Sequence, residues 1–244
     1  MIKYLSLTGL SISYLKDTFN EAFSDYTIPM NLSEEQIREH LISNDYDPKL
    51  SIGAFDGEKM VGFVFVGHRD NRLYDVGTAV IKEYRRQGIA KTMIKAIISK
   101  MNRDDVFILE CISSNERGMK LYESLGFKRN RHFICFKLNG VGELSNEVIK
   151  VENINIDKDY HPSWQNEKIG DHLLFKHNNN YLCVRNDGGV YFSDADEVLI
   201  KHALYCLGKL SFTNVNSSDS LVQTLTLLGA TLYVEQEEMI YESN

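Results

Sequence analysis

Three prolines and sixteen glycines in 244 residues are too few for a collagen-like, mucin-like or Pro/Gly-rich disordered chain. The four cysteines, Cys111, Cys135, Cys183 and Cys206, are widely spaced and form no C-x-x-C or zinc-like pair. They read as small buried hydrophobes in a reducing, cytoplasmic setting, with no metal implied. No apolar run approaches the roughly 20 residues that a membrane span needs. The uncharged stretch Tyr4–Leu15 has only Lys3 ahead of it, no small-residue cleavage site, and Lys16-Asp17 at its end, so it does not read as a secretion signal. Positive charge is in deficit: 27 Lys+Arg against 34 Asp+Glu leave a net charge of −7, which argues against a nucleic-acid backbone binder. G-x-G-x-x-G and Walker patterns are missing too, which disfavours a nucleotide-binding regulator.

What is present is an ordinary globular composition, 43% hydrophobic and 25% charged, at a length between one and two domains. Ile2–Leu7 reads as a strand. Ser11 opens a helix with apolar positions Ile12, Leu15, Phe19, Ala22 and Phe23 at helical spacing. Ser33-Glu34-Glu35-Gln36 is a capping-box pattern starting a second helix. Leu50–Phe55 and Met60–Val66 are strands joined through Asp56-Gly57, and Arg72–Ile81 is a third. Gly88–Asn102 is helical, with Ile89, Met93, Ile94, Ile97 and Ile98 as its buried stripe. Val106–Ile112 is an apolar central strand, Asn115–Leu125 a helix ended by Gly126, and Phe127–Leu138 a last strand. The order predicts an α/β domain, a mixed sheet with helices on both faces.

Val141–Asn153 reads as a linker. Beyond it His172–Lys176, Tyr181–Arg185 and Val190–Ser193 are strands, Glu197–Leu207 a helix, Leu210–Val215 a strand, Asp219–Leu228 a helix ended by Gly229, and Thr231–Tyr241 a strand. That order repeats residues 50–138. Superposing Gly229 on Gly126 also matches Leu228 to Leu125 and Ser217 to Ser114, so the second half reads as a reduced copy of the first. The expected organisation is a working domain over 1–140, a linker over 141–153 and a degenerate domain over 154–244.

The sharpest local signal is Val80-Ile81-Lys82-Glu83-Tyr84-Arg85-Arg86-Gln87-Gly88-Ile89-Ala90, where a strand ends, a basic glycine-containing loop follows and an amphipathic helix begins. N–H groups at a helix start lack intrahelical partners, and the dipole there favours negative charge. Glycine lets an anion approach the backbone closely, so the construction suits a pyrophosphate.

Arg85-x-x-Gly88-x-Ala90 resembles the acetyl-CoA pyrophosphate loop of the GNAT superfamily of N-acetyltransferases. Asn115-Glu116-Arg117-Gly118-Met119-Lys120-Leu121-Tyr122-Glu123-Ser124-Leu125-Gly126-Phe127 is similar to that superfamily's second signature. The element order of the first 140 residues also agrees with it. The one departure is Arg86, where many members carry a second glycine.

The resemblance implies a GNAT-type acyl-CoA N-acyltransferase fold followed by a smaller degenerate GNAT-like domain. It implies that backbone amides of Arg86, Gln87, Gly88, Ile89, Ala90 and Lys91 hold the pyrophosphate, with Arg85 adding charge. Thr78, Ala79 and Val80 would pair with the pantetheine arm, the Val80 N–H polarising the thioester carbonyl. Asn115 would bond the arm, and Tyr122 would protonate the departing thiolate. Tyr122 also fits an amphipathic helix with its hydroxyl in solvent. For the general base, Glu110 sits at the spacing used by ribosomal-protein alanine acetyltransferases, where apolar neighbours should raise its pKa; it also fits a structural carboxylate. Asp75 is the alternative base, and Asp25, Tyr26 and His68 are further cleft residues.

The second half lacks this equipment. Ser193-Asp194-Ala195-Asp196-Glu197 has three acids and no glycine, and Leu225 stands where Tyr122 would be, so no cofactor is expected there. Pro162-Ser163-Trp164-Gln165-Asn166 resembles a segment of tandem GNAT proteins, with Trp164 as an interdomain anchor. His172 and His177 read as surface histidines. Residues 1–140 hold 20 Lys+Arg and 18 Asp+Glu, net +2, and the remainder 7 and 16, net −9, an acidic excess suited to attracting a cationic amine. The expected activity is direct acetyl transfer from acetyl-CoA to a primary amine of a small molecule or peptide. The alternative is a non-catalytic acyl-CoA-binding module. No nucleic-acid or membrane partner is implied, and the chain is expected as a monomer or homodimer.

Overall fold

A computed structural model describes residues 1–26, 30–153, 161–194 and 196–243. The start of the expected second domain, 154–160, and Ala195 of the acidic stretch lie outside the described residues. The chain forms two compact units. The first contains Met1–Glu110, Glu116–Arg129 and Met239–Asn244; the second contains Cys111–Asn115 and Asn130–Glu238. Residues 111–115 and 130–140, expected in the first domain, belong to the second unit, and residues 239–244, expected in the second domain, belong to the first.

In the first unit, β1 (Lys3–Ser6), β2 (Ile52–Asp56), β3 (Lys59–Arg69), β4 (Arg72–Val80) and β5 (Val106–Ile112, in this unit as far as Glu110) lie in that order. All neighbours are antiparallel except β4 and β5, which are parallel. Helix α1 (Ile12–Phe23) starts where Ser11 accepts the Tyr14 N–H. Helix α2 (Glu34–Ser43) starts with both bonds of the Ser33/Gln36 capping box, a device that stabilises a helix start by about 1 kcal/mol. Helix α1 buries Leu15, Phe19, Ala22 and Phe23. Phe19 stacks on Phe63 at 5.8 Å, and Phe63 on Phe65 at 4.1 Å. A short 3₁₀ turn, Lys82–Tyr84, precedes α3 (Ile89–Ile98), which buries Ile89, Met93, Ile94 and Ile97. Helix α4 (Glu116–Glu123) follows β5, and Phe127 after it packs edge-on against Phe107 and at a tilt against Tyr241. The Ser243 N–H donates to Asp105 O at 3.0 Å.

In the second unit the strand order is β7 (Ile149–Lys150), β8 (Leu173–His177), β9 (Asn180–Val184), β10 (Gly189–Ser193), β11 (Lys209–Asn216) and β6 (Lys128–Asn139, in this unit from Asn130). The only parallel pair among them is β10 with β11. Helices α5 (Trp164–Glu167), α6 (Glu197–Leu207) and α7 (Ser220–Leu227) complete it with β12 (Thr231–Glu242), whose last residues belong to the first unit. The core gathers Leu182, Val184, Leu199, Ile200, Ala203, Phe212 and Leu225 with Phe136 and Leu138 of β6.

Three expectations need correction. The segment expected as a linker contains β7, and its Val148 is buried in the second unit's core, because alternate residues there are apolar enough to extend a sheet edge. Cys206 is exposed while the other three cysteines are buried, since it falls on the outer face of α6. His177 is not a surface histidine; it is buried, with Nδ1 at 2.7 Å from Asp196 and Nε2 at 3.2 Å from Glu147. No helix of the described residues is long and apolar enough to cross a membrane.

Candidate functional site

The site grows from an irregularity in β4. Phe65 pairs with Gly77 but the adjacent Val66 pairs with Asp75, so Val76 is an extra residue, a bulge that bends and twists the strand. The bulge carbonyl is held by His40 Nε2 at 3.1 Å. Burial lowers the His40 pKa, so the neutral ring serves as the donor. On its other side β4 pairs with β5 only through Arg72, Leu73 and Tyr74. Among the described residues Thr78, Ala79 and Val80 pair with no strand but β3, and apart from the bond that the Val80 carbonyl accepts from Arg85 Nε this leaves one strand edge open to an extended ligand. Sequence reading missed His40; its only signal was its place one residue before buried Leu41 on an amphipathic helix.

The open edge runs into the basic loop. Arg86 adopts φ +63° and Gly88 φ +75°, and Gly88 is the N-cap of α3. Gly88 suits this left-handed backbone; Arg86 occupies it at a cost of about 1 kcal/mol. The departure from the double-glycine pattern therefore retains the left-handed turn and adds a cation. Among the described residues, none of the six backbone N–H groups from Arg86 to Lys91 meets an acceptor; the first N–H with one is Thr92, bonded to Gly88 O at 3.0 Å. Six adjacent free donors at the positive end of a helix form an anion cradle. The pyrophosphate of acetyl-CoA fits it, and the open edge of β4 fits the extended arm.

Asp75 and Tyr122, 47 residues apart, are brought together. The Tyr122 hydroxyl lies 3.4 Å from Asp75 Oδ2, which also accepts a 2.6 Å bond from the Thr78 hydroxyl. Asp75 Oδ1 is shut off from solvent and has no partner among the described residues. Burial pushes the Asp75 carboxyl up to about 6, against the lowering effect of bonds from Thr78, the Gly77 N–H and Tyr122. A carboxylate titrating there can accept or return a proton near neutrality. Glu110 is half-buried on β5, with Oε1 shut off from solvent. Asn115 belongs to the second unit, where its N–H donates to Ile112 O at 2.8 Å. His68 stands apart: it lines a cavity of about 60 Å³ with Ile97, Lys100 and Met101, at the end of α3 away from the loop. Tyr26 packs edge-on against Phe23 at 5.3 Å. Asp25 pairs with Arg85. Among the described residues no cluster of three His, Cys, Asp or Glu side chains could hold a metal ion.

In the second unit the turn before α6 is closed by the protein itself. Asp196 caps α6 by accepting the Leu199 N–H at 3.0 Å, and its other oxygen meets His177. Leu225 is buried in α7. The two helices α4 and α7 end alike: Phe127 N–H bonds Tyr122 O at 3.1 Å, and Ala230 N–H bonds Leu225 O at 2.9 Å, each across a left-handed glycine.

The profile of the acetyltransferase (GNAT) family matches residues 14–127. N-alpha-acetyltransferase 30 of Schizosaccharomyces pombe is 35% identical over 100 residues, which cover 38% of this chain and 67% of that protein. N-alpha-acetyltransferase 30 of Homo sapiens is 36% identical over 104 residues, 40% of this chain but 29% of its own length. A solved structure of a tandem GNAT protein from the clavulanic acid biosynthesis pathway superposes with a TM-score of 0.65 at 11% identity, covering 100% of this chain and 99% of that one. That likeness concerns fold alone, and it extends over both units. The chain therefore belongs to the acetyltransferase (GNAT) family.

Proposed function

We propose that the chain moves an acetyl group from acetyl-CoA directly to a primary amine, and that the amine is the α-amine of a peptide rather than a small molecule. The observation that carries this reading is the run of six free N–H groups, Arg86 to Lys91, continuing from the open edge at Thr78, Ala79 and Val80. The peptide preference rests on the relatives, which are N-alpha-acetyltransferases. Acetyl-CoA supplies the activated acyl group. The six amides hold its pyrophosphate, the strand edge holds its arm, and the Val80 N–H donates to the acyl oxygen. Tyr122 gives its hydroxyl proton to the departing sulfur. Asp75, rather than Glu110, takes the proton of the attacking amine, because its carboxylate meets Tyr122 and titrates at about 6. The second unit is a degenerate copy that takes no acetyl-CoA, its helix start being capped by Asp196.

Calorimetry with acetyl-CoA and CoA tests binding, and free-thiol release over a panel of peptides and small amines tests transfer. We expect one acetyl-CoA per chain and turnover with peptides. Replacing Tyr122 by Phe should lower kcat by roughly 10²-fold with acetyl-CoA affinity within about twofold of wild type. Binding without any turnover would leave the acyl-CoA-binding module as the better reading, and turnover only with small amines would remove the peptide assignment.

A further inference from the structure

Arg85 was expected to lend charge to the loop, yet its guanidinium is engaged elsewhere in the first unit. Nε donates to Val80 O at 2.8 Å, Nη1 to Asp25 Oδ2 at 2.8 Å, and Nη2 to Asp25 Oδ1 at 2.7 Å and Ala22 O at 2.9 Å. Four of the five N–H groups that a guanidinium carries are therefore used. The acceptors belong to two elements: Val80 ends β4, while Ala22 lies in the last turn of α1 and Asp25 just beyond it. A helix end has unsatisfied carbonyls and partial negative charge, which a cation answers. The fork-on-carboxylate geometry is strong and directional. Arg86 is exposed as Arg85 is, but among the described residues it forms no ion pair.

We propose that Arg85 is a positioning residue and not a phosphate ligand: it ties the end of β4 to the end of α1, setting the cofactor loop before acetyl-CoA arrives, while Arg86 carries the charge that meets the pyrophosphate. The proposal rests on the acetyl-CoA reading of the loop. Asp25 is part of the tie, and the Arg85 hydrogen bond lowers its pKa.

The two roles predict opposite signs for one substitution. If Arg85 were a phosphate ligand, Asp25→Asn would free its charge and tighten acetyl-CoA binding. As a tie, the same change weakens binding, by roughly fivefold. Arg85→Lys keeps the charge but not the fork and should weaken binding similarly, and combining it with Asp25→Asn should add little. Arg86→Ala should flatten the salt dependence of acetyl-CoA affinity, and Arg85→Gln should not. Calorimetry over a salt series reads all of these; tighter binding in Asp25→Asn, unaltered affinity in Arg85→Lys, or a flattened salt response in Arg85→Gln would each overturn the assignment. A ligand-free readout separates it from the cofactor reading. The Tyr26 N–H bonds Phe23 O at 3.0 Å and the Ile81 N–H bonds Val61 O at 2.9 Å, on either side of the tie. Hydrogen exchange at both should quicken roughly tenfold in Asp25→Asn and Arg85→Lys. Unchanged exchange removes the tie; quickened exchange in a protein that binds no acetyl-CoA removes the cofactor reading instead.

Discussion

At Asp75 the site's chemistry and the protein's stability pull in opposite directions. A carboxylate with one oxygen shut from solvent and unpartnered is costly to ionise, and its pKa is raised to about 6 in the fold. Because the folded state holds this proton more tightly than the unfolded chain, stability falls as pH rises from about 4 to about 6 and levels off above. Asp75→Asn should abolish that decline and leave the protein roughly 2 kcal/mol more stable than wild type at pH 7.5, while acetyl transfer drops sharply. Thermal unfolding between pH 4 and 8 checks it; an unstabilised Asn variant would mean that Asp75 is not strained by burial.

Among the elements, helix starts carry the clearest functional contrast. α3 begins at Gly88 with no side-chain cap, and α6 begins at Asp196 with one. A helix left uncapped retains donors for a ligand; a capped one has given them to its own carboxylate. Asp196→Ala should lower the melting temperature by about 2–4 °C, as loss of a cap worth about 1 kcal/mol implies. The loss should be larger at pH 6 than at pH 9. The Asp196 hydrogen bond raises the His177 pKa, so that interaction is fully present below the unfolded value and disappears as pH climbs through the folded one. Equal losses at both pH values would show that the pair contributes nothing. The starts at Ser11, Ser33 and the Gly88 loop were legible beforehand as local patterns, whereas the Asp196 cap was not. The bulge at Val76 was not, because nothing in Asp75-Val76-Gly77 specifies which residue lacks a partner on β3.

For the molecule as a whole, the two units do not follow the chain in sequence. Residues 130–140 belong to the second unit and Met239–Asn244 to the first. A chain truncated after residue 140, where sequence alone would cut, lacks Tyr241 beside Phe127 and the Ser243 bond to Asp105. It also carries Phe136 and Leu138 without the core that buries them. We expect that truncation to be aggregation-prone and to bind no acetyl-CoA, whereas the full chain binds it. A monomeric truncation with full affinity in size-exclusion and calorimetric runs would contradict this. Element order alone did not reveal the arrangement, because β6 and β12 close their two halves at the same place in each order.

The sequence by itself determined most of the helices and strands of both halves, the basic glycine loop before α3, and the acidic stretch before α6. Each depends on interactions within a few residues: periodic burial, caps, a glycine at positive φ, donors left free at a helix start. Tertiary structure decided what Asp75, Arg85 and the C-terminal residues do. Asp75 meets Tyr122 across 47 residues and Arg85 meets Asp25 across 60. Such contacts depend on how strands and helices pack and on where a bulge turns a side chain, and local pattern carries no record of either.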